Sequence, residues 1–209
     1  MAIAIQASTN ITYTASGATS QTKSFAISGS DRYLLVGVLD VAGDTVTGVT
    51  YAGVSMTLLG KINAATSRYV YLYGLANPTT GTNDIVATRT GTTSVFGCGA
   101  VNLTGATQTT SPVDASATNN VTSATPSIDL TSVTDNSAVI IMASTLDNTL
   151  ASSTNATTIV GDTFSIALLS QSATFPKTPT GSQTYSFTCP SGNTGLIAVS
   201  IAPVGGGGG

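Results

Sequence analysis

Tyr33-Leu34-Leu35-Val36-Gly37-Val38-Leu39 runs without a polar residue, and about a hundred residues later Ala138-Val139-Ile140-Ile141-Met142-Ala143 does the same. Both runs fall well short of the ~18 consecutive apolar residues that cross a bilayer as a helix. Turn formers bracket them: Gly29-Ser30-Asp31 and Gly43-Asp44 around the first, Asp135-Asn136 before the second. A strand with one wet face alternates apolar and polar residues, whereas a strand apolar at every position is covered on both faces. The two runs are therefore expected to be central strands of a sheet, or inner strands of a sandwich.

Outward from these runs the pattern changes to alternation, as in Ser24-Phe25-Ala26-Ile27 and Tyr185-Ser186-Phe187-Thr188. Further strand signals fall at residues 3–6, 11–15, 46–51, 55–59, 68–75, 84–90, 95–103, 127–130, 165–172 and 195–202, separated by Gly, Asn, Asp and Pro. No window holds a 3.6-residue apolar period over three turns. Composition agrees: Ser and Thr fill about 30% of the chain, there is no Glu, and all nine acidic residues are Asp. Thr suits a half-exposed strand face, while Asp favours turns. The expected fold is an all-β, antiparallel β-sandwich, jelly-roll-like.

Residues 1–203 are read as a single sandwich domain. The polar stretch over residues 105–125 is either a division between two halves or one long connection between sheets, and the halves show no repeat of each other in sequence. Residues 204–209 form a glycine tail.

The charged share is 7%, against the usual quarter or so, and the net charge is −3. The six basic residues are scattered, which argues against nucleic-acid binding, since that needs clustered cations. No membrane span is expected. The N-terminus, MAIAIQAS, lacks the basic and apolar regions of a secretion signal, so assembly inside a cell is expected.

Histidine is absent, which removes Ser-His-Asp, Cys-His and His-ligated metal chemistry. No nucleophile elbow or phosphate-binding glycine loop occurs. The chain is expected to be non-enzymatic and to carry no cofactor. Asp40 with Asp44 and Asp135 with Asn136 are read as turn residues ahead of calcium ligands. Cys98 and Cys189 are either buried free thiols, the favoured reading without a secretory context, or a disulfide closing a loop of about 90 residues. Tyr69, Tyr71 and Tyr73 share one strand face by the two-residue period. Exposed, they would form an interaction surface for sugar or protein. Otherwise their rings cover the sheet and their hydroxyls reach solvent.

One order of motifs carries a resemblance. Gly48-Val49-Thr50-Tyr51-Ala52-Gly53-Val54-Ser55-Met56-Thr57 reads as strand, tight turn, strand. Residues 71–82 (YLYGLANPTTGT), residues 105–113 (GATQTTSPV) and a closing Ile197-Ala198-Val199-Ser200-Ile201-Ala202-Pro203 follow it. This is similar to jelly-roll-like modules of tailed-phage virion proteins and bacterial surface proteins. The resemblance implies a structural protein of a virus particle, a capsid cement (decoration) protein or a fibre component, assembled in the host cytoplasm. It implies a homo-oligomer, a trimer first, packed against other particle proteins. The alternative it leaves is an extracellular adhesin or carbohydrate-binding module.

Overall fold

The computed structural model describes residues 3–14, 16–108, 112–133, 135–145, 150–154, 156–161, 168–172, 181–190 and 192–205. Among them there is no helix. The first half holds nine strands: β1 (Ala4–Thr14), β2 (Ser20–Ile27), β3 (Tyr33–Asp40), β4 (Val46–Tyr51), β5 (Val54–Ser55), β6 (Thr57–Ala65), β7 (Arg68–Ala76), β8 (Gly81–Arg89) and β9 (Phe96–Thr104). Among the described residues the second half holds eight: β10 (Val113–Ser123), β11 (Ser127–Val133), β12 (Ala138–Thr145), β13 (Ala151–Thr154), β14 (Ala156–Gly161), β15 (Leu168–Ser172), β16 (Gly181–Thr188) and β17 (Gly192–Ile201).

The strands form four antiparallel sheets. In the first half β1-β9-β3-β7-β6 faces β2-β8-β4-β5, and in the second half β10-β17-β12-β15-β14 faces β11-β16-β13. Each half is thus a β-sandwich with its own core. Leu34, Val36 and Val38 of β3 meet Phe25, Val49, Tyr51 and Ile85 of the facing sheet. Val139 and Ile141 of β12 meet Ile128, Leu130, Tyr185 and Phe187.

A third core lies between the two five-stranded sheets. It joins Leu35, Leu39, Val70 and Leu72 from the first half to Ile140, Met142, Ile197 and Val199 from the second. The layers therefore stack four deep, and the two middle sheets are covered on both sides. Successive residues of a strand point to opposite faces. Even-numbered residues of β3 enter one core and odd-numbered residues the next, which is why both defining runs are apolar throughout. All eight residues of β3 and of β12 are buried.

The halves have the same connectivity. Mapping β1, β2, β3, β4, β6, β7, β8 and β9 onto β10 to β17 in order reproduces both strand orders, with β5 an addition to the first half. Register follows. Leu103 pairs with Tyr33 as Ile201 pairs with Ala138. A bulge separates Ile5 from Ala7 opposite Leu103 and Asn102, and another separates Val113 from Ala115 opposite Ile201 and Ser200. Gly81 and Gly181, both at positive φ, open the equivalent strands β8 and β16. β6 lies over β10 and β17 while β14 lies over β1, as a two-fold relation between the halves requires.

Three sequence expectations need correction. Within the polar stretch after residue 105, where the first sandwich gives way to the second, Val113–Ser123 is a strand of 11 residues, so the stretch is not one long loop. Its small inward residues Ala115, Ala117 and Val121 alternate with exposed polar ones. The signals at 3–6 and 11–15 belong to one strand, β1. A repeat absent from the residue types is present in the topology. Of the glycine tail, residues 206–209 lie outside the described residues, whereas the Val204 N–H donates to the Gly105 carbonyl at 2.9 Å.

Candidate functional site

The polar chemistry of the first sandwich gathers at one end, where the β3–β4 and β8–β9 loops meet. β8 directs Ile85, Ala87 and Arg89 inward by its two-residue period, so a guanidinium arrives where an aliphatic chain would be expected. Asp40, at the end of β3, meets it: Nη1 of Arg89 donates to Oδ1 of Asp40 at 2.7 Å, and neither side chain is exposed. The other two nitrogens of Arg89 are engaged as well. Nε of Arg89 donates to the Ala18 carbonyl at 2.9 Å and Nη2 to the Ser94 carbonyl at 2.6 Å. The guanidinium lies 4.8 Å from the centre of the Phe96 ring, a cation–π geometry. Asp40 also accepts from the Ala42 N–H and the Thr45 hydroxyl. A buried ion pair persists only when its lone pairs and protons are satisfied in this way.

Asp44, four residues on, is half exposed and ties the same loop to β6 and β7. Its Oδ2 accepts from Lys61 Nζ at 2.6 Å and its Oδ1 from the Tyr71 hydroxyl at 2.8 Å. The hydrogen bonds from Lys61 and then Tyr71 hold the Asp44 carboxyl below the usual carboxylate range. Burial first, and the bonded carboxylate second, push the Tyr71 phenol well above its ordinary value. Burial raises Tyr73 and takes Tyr33 up to about 12. The Cys98 thiol, desolvated in the same core, is pushed up to about 12.

The three tyrosines do line one face of β7, opposite Val36, Val38 and Asp40 of β3. That face is interior. Tyr71 is 1% exposed and Tyr73 5%, packed against the sheet of β2, β8 and β4. Tyr69 is half-buried, its ring 6.4 Å from that of Tyr71. The ladder is therefore core packing, with the Tyr71 hydroxyl satisfied by Asp44, and of the two readings of Tyr69, Tyr71 and Tyr73 the exposed interaction surface is the one corrected. The cysteines are buried free thiols in different sandwiches, so the disulfide alternative is corrected as well. Asp40 and Asp44 are committed to protein partners, and among the described residues no group of acidic and sulfur ligands is arranged to hold a metal.

Sequence reasoning missed the Asp40–Arg89 pair. Its signal was a charge at an inward position of an alternating strand. The described residues also form a cleft and a hollow at the surface. A cleft of about 250 Å³ is lined by Tyr33, Thr57, Leu59, Leu75 and Pro112. A shallow hollow on the outer face of β4 and β8 is lined by Thr50, Ala52, Thr82, Asn83 and Asp84.

The chain matches no family model, no curated protein and no solved structure. Function therefore rests on the geometry: among the described residues two ion pairs, Asp40–Arg89 and Asp44–Lys61, serve the protein's own loops, and the exterior is dominated by Ser, Thr and Asn.

Proposed function

We propose that this chain is a structural protein of a virus particle, a phage capsid cement (decoration) protein or fibre component that works as a homo-oligomer through protein–protein packing. The observation that supports it most is the distribution of charge in a four-layer body. The ionised groups are few, and three of them, Asp40, Arg89 and Asp44, serve the protein's own loops. The rest of the surface is nearly neutral, and such a surface docks with little charge to desolvate. The jelly-roll reading draws support from the interleaved orders β1-β9-β3-β7 and β2-β8-β4-β5, in which the first four strands alternate between sheets. The carbohydrate-binding alternative drew on an exposed tyrosine ladder, and the burial of Tyr71 and Tyr73 removes that support.

Particle purification tests the proposal. Virions from the source of the sequence, banded by density and analysed by mass spectrometry, are expected to contain this chain at fixed stoichiometry. Its absence from every particle fraction, together with a glycan-array signal lost on Asp84→Ala, would replace the proposal with the carbohydrate-binding alternative.

A further inference from the structure

An exposed sheet edge offers unpaired backbone groups, and proteins that stay monomeric blunt it with bulges, charges or side-chain caps. The first half does so. β1, the edge of its five-stranded sheet, is bulged twice. The Asn10 carbonyl accepts from Lys23, and the Thr12 carbonyl and hydroxyl accept from Gln21, both residues of β2. The β6 edge is also bulged twice and carries Lys61.

Among the described residues β10, the counterpart of β1, has no bulge, charge or capped carbonyl from Ala115 to Thr122; the Cys189 thiol donates to the Ser123 carbonyl at its end, and the Asn119 side chain donates outward to the Ser127 carbonyl of β11. After its first bulge, nine consecutive residues from Ala115 to Ser123 pair regularly with β17. None of the nine is charged. Among the described residues no strand pairs with their outer side. Aligning β11 with β2 through their partners Tyr185 and Ile85 puts Ile128 in place of Lys23 and Pro126 in place of Gln21, so the capping groups are missing as well. Beside this edge β6 presents Leu58, 46% exposed.

We propose that β10 is a self-association edge and that its occupant is β10 of a second copy, joined antiparallel about a two-fold axis. The register that uses all nine residues sets Asn119 opposite its own counterpart, Ser116 opposite Thr122, and Ala117 opposite Val121. No like charges face each other in it, and the two Asp114 carboxylates fall at opposite ends. Pairing extends the β10–β14 sheet continuously through both copies. A strand that pairs with itself is closed by two copies. The assembly is thus built from two-fold pairs in place of the three-fold contacts that the resemblance implies. The inference rests on the proposed structural role only in naming the partner within that assembly.

Sedimentation of the full chain over a concentration series tests it in three forms: unmodified, Ser116→Lys/Thr122→Lys, and Ser116→Lys/Thr122→Glu, each checked for strand content by circular dichroism. The unmodified chain is expected at twice its 20.8 kDa mass. The double lysine change sets like charges opposite each other and should weaken association by about tenfold or more. The lysine–glutamate change keeps the net charge and pairs opposite charges, so association should return. A chain monomeric throughout overturns the proposal, and so does an oligomer indifferent to both variants. In the unmodified chain, amide exchange over residues 115–123 should slow as concentration rises, and an unchanged rate also overturns it. A monomer found on particles would remove the β10 pairing and the homo-oligomer and leave the particle role. A dimer found on no particle would remove that function and leave the pairing.

Discussion

Arg89 and Asp40 show how one residue can hold two loops. With no exposure, the Asp40 carboxylate depends on Arg89 for its charge balance. Arg89→Met should therefore destabilise the fold by about 3–5 kcal/mol, whereas Asp40→Leu/Arg89→Met, which removes both charges, should recover most of the loss. Urea unfolding of the two variants checks this, and equal losses would mean that the pair acts through its loop hydrogen bonds. Asp44 works at the surface and contributes less. Its folded pKa is depressed, so its contribution is present above the ordinary carboxylate range and is lost as pH falls through the lowered value. Solvent screening limits it to about 1 kcal/mol. Stability between pH 7 and pH 3 should fall slightly less for Asp44→Asn than for the unmodified chain. The tyrosine period was legible in the sequence because a strand imposes it. Which face was inside was not, since that depends on a second sheet and on Asp44 reaching Tyr71 from a loop.

At the scale of elements, the layers meet through places where a side chain cannot fit. A Cβ at Gly195 of β17 would stand 2.9 Å from the Ala64 Cβ and 3.0 Å from its Cα on β6. Backbone on the opposing strand cannot move aside as a flexible side-chain tip can. Gly195→Val should cost about 1–3 kcal/mol by overpacking, whereas Gly48→Ala, which meets open space, should stay within about 0.5 kcal/mol. Thermal or urea melts of the two distinguish a packed layer contact from a general glycine effect. The central strands β3 and β12 were legible because burial on both faces leaves an unbroken apolar run. β10 was not, because its inward positions between Val113 and Val121 are the small or polar Ala115, Ala117 and Asn119, whose weak alternation with Ser, Thr and Asn resembles low complexity.

For the whole molecule, the shared connectivity of the two halves is carried by backbone pairing and hardly at all by residue identity. Equivalent positions hold Tyr33 and Ala138, Ile85 and Tyr185, Arg89 and Cys189, which is why no repeat was legible. What survives is geometric: the first bulge of β1 and β10, the glycines opening β8 and β16, and the short pattern Ala100-Val101 with Leu103 against Ala198-Val199 with Ile201. The central claim is that two sandwiches share a middle core, so that neighbouring residues on one inner strand are both dry. Thiol labelling of Ile140→Cys and Ile141→Cys tests this directly, because the two side chains point to opposite faces of β12. Both substituted thiols are expected to react only as fast as the protein unfolds. Rapid labelling of either one in the native protein would mean that one face of β12 is wet, and the four-layer stack would be wrong.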